Sequence, residues 1–230
     1  MLDLLRAAGW VAQLPAVTFV CEDAPHEAPA CLGFYASLVA SGLYDEATRC
    51  YDYGLGPDEE MLVQKGLAVL EAQLIRHRPE VVGGICDGGL LAAVLATRCA
   101  EVRLLVNVCG TPWERLPHSL RASGAVEVPS LHLLGRADEL LTEDELLSLP
   151  RRCSEATILR HPQGHALPVL SARLTSRMLH AIDTACHDNP KGTRVEALDA
   201  WRADDDCKPL YPGHMPMAFD ADGREEPLGL

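Results

Sequence analysis

Long apolar runs are missing from this chain: none of its 230 residues lies in a stretch approaching the roughly 18–20 needed to span a membrane. A membrane is therefore not expected as a partner. Met1 to Ala8 has no basic region followed by an apolar stretch and a small-residue cleavage site, so no secretory leader is expected either. Positive charge is also scarce. With 20 Lys and Arg against 33 Asp and Glu, the net charge is -13, which argues against nucleic acid as a partner. Cysteine is not scarce, but its 9 copies are odd in number and scattered, without a disulfide-like framework. No Cys pair or Cys/His cluster has zinc-ligand spacing, so neither a metal nor an organic cofactor is expected. Cys21, Cys99 and Cys109 fall in apolar runs, where a free thiol behaves as a small buried hydrophobe. A reducing, cytoplasmic compartment follows as the expectation. No internal repeat is present.

What is present is an alternation of short apolar runs and helical patterns. Ala16–Cys21, Glu80–Ile85, Arg103–Cys109, Ser130–Leu134 and Ala156–Arg160 read as five strands, each bounded by Pro, Gly, Asp or charge. Between them Pro57–His77, Gly88–Arg98, Thr142–Leu149 and Leu167–Ala185 read as helices. Strands alternating with helices predict an α/β fold, a mostly parallel sheet with helices on both faces. The composition divides the chain into a domain over 1–187 and an acidic, Pro- and Gly-containing tail over 188–230. The tail is expected to be largely disordered, with a short helix at Val195–Arg202.

The chemistry concentrates at three strand ends. Gly84-Ile85-Cys86-Asp87-Gly88 joins a strand to a small-residue helix, the setting of a nucleophile elbow with Cys86 in the nucleophile position. Glycines two before and two after allow strand and helix to approach, and the helix N-terminus favours a thiolate. The backbone N–H of Asp87 is then one oxyanion donor. A plain structural turn is the competing reading of the same five residues. Asp138, just past the fourth strand, is the candidate acid; a turn or capping Asp is its alternative. His165, in a Gly- and Pro-flanked loop after the last strand, is the candidate base, with a solvated loop residue as alternative. His161 competes for that role, but it ends the strand itself and points to packing or a turn. In this order Cys86 attacks an acyl carbon, His165 carries the proton, and Asp138 holds the imidazole.

From about Leu5 to Ala185 the sequence resembles the FSH family of serine hydrolases, a branch of the α/β-hydrolases. The resemblance lies in Cys21-Glu22-Asp23-Ala24-Pro25, in Tyr53-Gly54-Leu55, in Leu134-Gly135-Arg136-Ala137-Asp138 and in His161-Pro162-Gln163-Gly164-His165-Ala166-Leu167-Pro168. It implies an α/β-hydrolase-like sheet and hydrolysis of a small carboxylic ester or thioester through Cys86, His165 and Asp138. Two departures stand out. The family elbow reads Gly-Phe-Ser-Gln-Gly, so Cys86 replaces Ser, as in the Gly-x-Cys-x-Gly-Gly of dienelactone hydrolases. Asp87 replaces Gln, and its carboxylate opposes a thiolate and an oxyanion unless the side chain turns away.

Family members also open with a strand ending in His-Gly, which lies centrally and brings a second oxyanion donor. This sequence begins at the helix after it, matched by Leu2 to Leu14. The expectation is therefore either a start upstream of Met1 or a sheet that re-pairs across the gap. The alternative to a working enzyme is a catalytically impaired or truncated homologue acting as a binding module. Pocket-lining candidates are Phe34, Tyr35, Leu43, Trp113, Leu116 and Leu120, from the loops 25–52 and 110–128.

Overall fold

The computed structural model describes residues 1–22, 24–28, 50–53, 60–121, 125–187, 217–219 and 225–227. Four strands, β3 (Val81–Ile85), β4 (Leu104–Val108), β5 (Ser130–Gly135) and β6 (Ala156–His161), form one parallel sheet in the order β3-β4-β5-β6. Two short antiparallel pairs stand outside it. One joins β1 (His26–Ala28) to β2 (Cys50–Asp52), and the other joins β7 (Met217–Phe219) to β8 (Glu225–Pro227).

Helices cover both faces of the sheet. Alternate residues Leu104, Val106 and Val108 pack on one side with α1 (Leu2–Ala7), α2 (Trp10–Gln13) and α7 (Ala172–His187). On the other side Leu105 and Val82 meet α3 (Glu60–His77) and α4 (Asp87–Arg98), whose residues Leu90 to Ala96 are all buried. That two-residue alternation is the strand period, and each large apolar side chain so buried stabilises the fold by roughly 1.5–3 kcal/mol. The remaining helices, α5 (His118–Arg121) and α6 (Glu143–Leu146), are single turns, the latter opened by a Thr142/Glu145 capping box. Among the described residues no helix is long and apolar enough to cross a membrane.

Four of the five expected strands are ladder strands, and the fold is α/β-hydrolase-like. Ala16–Cys21 is the exception: it forms no strand. Val17 and Phe19 pack against the core, but Val20 is 54% exposed and Cys21 is exposed, contrary to its expected burial. The physical reason is the absence of a neighbour. Among the described residues β3 pairs only with β4, so the sheet does not re-pair across the gap and no edge reaches residues 16–21.

The segment Leu2–Leu14 is two helices rather than one, broken at Gly9, whose φ of 77° no helix tolerates. α7 starts at Ala172 rather than Leu167, because 167–171 runs on as buried coil. There Trp10 Nε1 donates to the Pro168 carbonyl (2.8 Å) and Gln13 Nε2 to that of Leu170 (3.1 Å). These bonds tie α2 to the loop that carries His165. Trp113, Leu116 and Leu120 are core residues at 2%, 0% and 5% exposure, in the cluster that contains Leu105 and Leu149. Phe34, Tyr35, Leu43 and the expected helix at Val195–Arg202 lie outside the described residues.

Candidate active site

All three candidate residues sit at the carboxyl edge of the sheet, where parallel α/β folds assemble ligand sites. Cys86 follows β3, Asp138 follows β5 and His165 follows β6. Cys86 is the N-cap of α4 and holds φ 54°, ψ −127°, a left-handed conformation that a side chain other than glycine adopts only under constraint. The constraint is visible on both sides. Its N–H donates to the Val108 carbonyl (3.0 Å), extending the β3–β4 ladder, and its carbonyl accepts from Gly89 N–H (3.0 Å), opening the helix. Gly84 is required because a Cβ there would collide with the backbone of Gly88 and Gly89.

The second steric requirement falls one residue later than the motif suggests. A Cβ at Gly88 would meet nothing within 4 Å, whereas one at Gly89 or Gly110 would collide with Asn107 Oδ1. Asn107 is fully buried in β4, directly beneath the elbow. Its Nδ2 donates to His132 Nδ1 (3.1 Å), whose Nε2–H donates to Ser130 Oγ (2.9 Å), which donates to the Glu155 carbonyl (3.0 Å). Burial pushes His132 down to about 3, so it is neutral, and this chain of donors fixes its tautomer. Asn107 and His132 were findable as polar residues inside the apolar runs RLLVNVC and SLHLL.

Asp138 and His165 form the second half of the site. His165 Nδ1 stands 2.9 Å from Asp138 Oδ2, with side chains 2% and 1% exposed. Asp138 Oδ1 accepts from the N–H groups of Leu140 (3.0 Å) and Leu141 (2.9 Å). The turn reading of Asp138 is thus also true: one oxygen holds the turn and the other holds the imidazole. Burial disfavours its charge, but His165 and these donors outweigh it and hold the carboxyl below its ordinary range. Gly135 and Gly164 let the loops after β5 and β6 close on each other.

His165 is buried at 5% exposure, so it is not a solvated loop residue. Burial works against its charge, yet Asp138 and Cys86, as acceptors and as charges, push it up to about 10. The ring's Nε2 is buried and has no hydrogen-bond partner among the described residues. His161, the competitor, is 2% exposed in the core, and burial pushes it down to about 4.

Asp87 turns away from the thiol. Its Oδ1 accepts from Thr111 Oγ1 (2.6 Å) and its Oδ2 pairs with Arg115 (3.1 Å), both from the segment after β4. As the first residue of α4, its own N–H has no carbonyl one turn earlier within the helix to bond. Thr111 and Arg115 carried no sequence signal, because only the crossing of β4's end past the elbow brings them there.

The model of a family described as Serine hydrolase (FSH1) matches residues 7–176. An esterase of Aedes aegypti is 29% identical over 92 residues, covering 39% of this chain and 34% of that protein. An esterase of Drosophila melanogaster is 29% identical over 87 residues, 37% of this chain and 31% of that protein. The chain thus spans only a minor part of either relative's length. Among solved structures, an α/β hydrolase from the metagenome of Mar Chica lagoon sediments is 14% identical, with a TM-score of 0.44 over 53% of this chain and 69% of that one. A Pyrococcus furiosus esterase is 17% identical, with a TM-score of 0.41 over 60% and 66%. Because the family model spans residues 7–176 of 230, well over half its length, the chain belongs to the serine hydrolase (FSH1) family.

Proposed function

We propose that this chain hydrolyses a small carboxylic ester or thioester, with Cys86 as nucleophile, His165 as general acid–base and Asp138 as the group that orients it. The observation that carries the reading is the buried 2.9 Å contact between Asp138 Oδ2 and His165 Nδ1, which leaves Nε2 for the thiol of Cys86. Cys86 Sγ, as thiolate, attacks the acyl carbon while its proton resides on His165 Nε2. The oxyanion is received by the N–H of Asp87 at the start of α4. His165 returns its proton to the leaving alcohol or thiol, then takes one from the water that releases the acid and regenerates the thiol.

A second reading, a fold kept for binding without turnover, is favoured by the edge of β3 that no described strand pairs, where one oxyanion donor is identified. Loss of one such donor costs about 10²–10³ in rate. One assay separates the two. The first reading expects the purified chain to hydrolyse p-nitrophenyl acetate, iodoacetamide to abolish that activity, and Cys86→Ala to be inactive. Equal rates for the chain and its Cys86→Ala variant sink it and leave the binding module.

A further inference from the structure

Asp138 is followed by a second carboxylate that the proposed reaction does not use. Glu139 is exposed, yet its Oε2 accepts from the main-chain N–H of His165 (3.3 Å). Two consecutive acids of one loop therefore hold the same histidine, Asp138 by the ring and Glu139 by the backbone. The strands beneath prepare this approach, because the β5–β6 ladder runs on past its last register pair, Gly135 and His161. Arg136 N–H donates to the His161 carbonyl (2.9 Å) and Ala137 N–H to that of Gln163 (3.3 Å). Glu139 then lies across Gly164, where an added Cβ would collide with Glu139 Oε2 and with the Ala137 carbonyl. The peptide unit between Gly164 and His165 is thereby tied at both ends. Its carbonyl accepts from Ala166 N–H (2.8 Å), and its N–H goes to Glu139. That unit sets the direction in which the His165 side chain leaves the backbone, and the glycine on one side of it resists rotation weakly.

We propose that Glu139 is a positioning residue: by accepting from the His165 N–H it fixes the Gly164–His165 peptide and so aims the imidazole from Asp138 toward Cys86. The contact with Asp138 fixes one point of the ring and leaves it free to pivot there. The backbone bond supplies the second point. Asp138 and Cys86 are the groups that favour the proton on His165, whereas Glu139 reaches the main chain. What counts at Glu139 is therefore an acceptor oxygen at that place and not its charge. An amide oxygen of the same reach serves equally, and a methyl group does not. The bond matters for rate because a misplacement of about 1 Å at a reacting group costs on the order of 10²-fold.

The effect on rate rests on the proposed hydrolase reading, but the hold on the ring does not, and the test reads them separately. Glu139→Gln and Glu139→Ala are compared with the parent chain in p-nitrophenyl acetate hydrolysis. The same three proteins are compared without substrate by NMR of the His165 Nδ1–H proton, assigned with His165→Gln. Glu139→Ala should lower kcat more than about tenfold while KM moves less than about twofold, as expected of misaimed chemistry rather than lost binding. It should also lose the Nδ1–H resonance to exchange with water. Glu139→Gln should keep that resonance and a kcat within about threefold of the parent, a rescue that loss of a charge would not allow. In an active chain, a parental kcat or a parental Nδ1–H resonance in Glu139→Ala overturns the proposal. So does a Glu139→Gln as impaired as Glu139→Ala, or a parent chain without the resonance. If the parent hydrolyses nothing, the resonance decides alone: its loss in the alanine variant and survival in the glutamine variant retain the positioning role and discard the hydrolase reading.

Discussion

Asp87 Oδ2 lies 3.1 Å from the Arg115 guanidinium while Cys86, the residue before it, faces His165. Two adjacent side chains at one helix N-terminus therefore serve different neighbours. The carboxylate that the sequence sets beside the nucleophile is compensated by a cation and by the Thr111 hydroxyl, and it is directed off the site. The Asp87 and Arg115 side chains are 33% and 49% exposed, so the pair is worth at most about 1 kcal/mol.

The consequence is measurable as thiol reactivity. Asp87→Asn should change the rate of Cys86 alkylation by iodoacetamide less than about fivefold, the scale of an exposed pair. Arg115→Ala, which leaves the carboxylate without its cation, should slow alkylation more than Asp87→Asn alters it. An acceleration above tenfold in Asp87→Asn would mean that an uncompensated carboxylate acts on the thiol.

The two glycines after the nucleophile should respond oppositely to alanine. At Gly88 a methyl group meets open space inside a helix, so Gly88→Ala should be neutral or stabilising by about 0.4–1 kcal/mol. At Gly89 the methyl meets Asn107 Oδ1, an atom pinned through Nδ2 to His132, so Gly89→Ala should destabilise by about 1–3 kcal/mol. Urea unfolding midpoints of the two variants check this. Equal effects would contradict the placement of Asn107 under the elbow.

The pH dependence of stability follows from the buried pair. His165 is raised from an ordinary value near 6.5 to about 10. The stability it contributes is complete below about pH 6.5 and is lost as pH rises through about 10, because there the folded state too releases the proton. Asp138 works in the other direction: its contribution holds above the ordinary carboxylate range and disappears as pH falls through its lowered value. The gap in urea midpoint between the chain and His165→Gln should thus narrow between pH 7 and pH 10. A gap that is constant over that range would show that His165 is not charged in the fold.

Much of this was legible in one dimension. Short Val- and Leu-rich runs bounded by turn residues can satisfy their backbone only in a sheet with two covered faces, so β3 to β6 and the helices between them were readable from pattern alone. The strand-end positions of Cys86, Asp138 and His165 were readable too, because chain order and position after a strand are properties of the sequence. What the pattern misread depended on neighbours. Ala16–Cys21 has the composition of a strand, but a strand exists only where another offers its hydrogen bonds, and none of the described strands does. Whether Asp87 opposes the thiol and whether Gly88 or Gly89 is sterically required were decided by Arg115, Thr111 and Asn107. All three come from β4 or the segment after it, and local sequence patterns do not specify how one strand's end crosses another's.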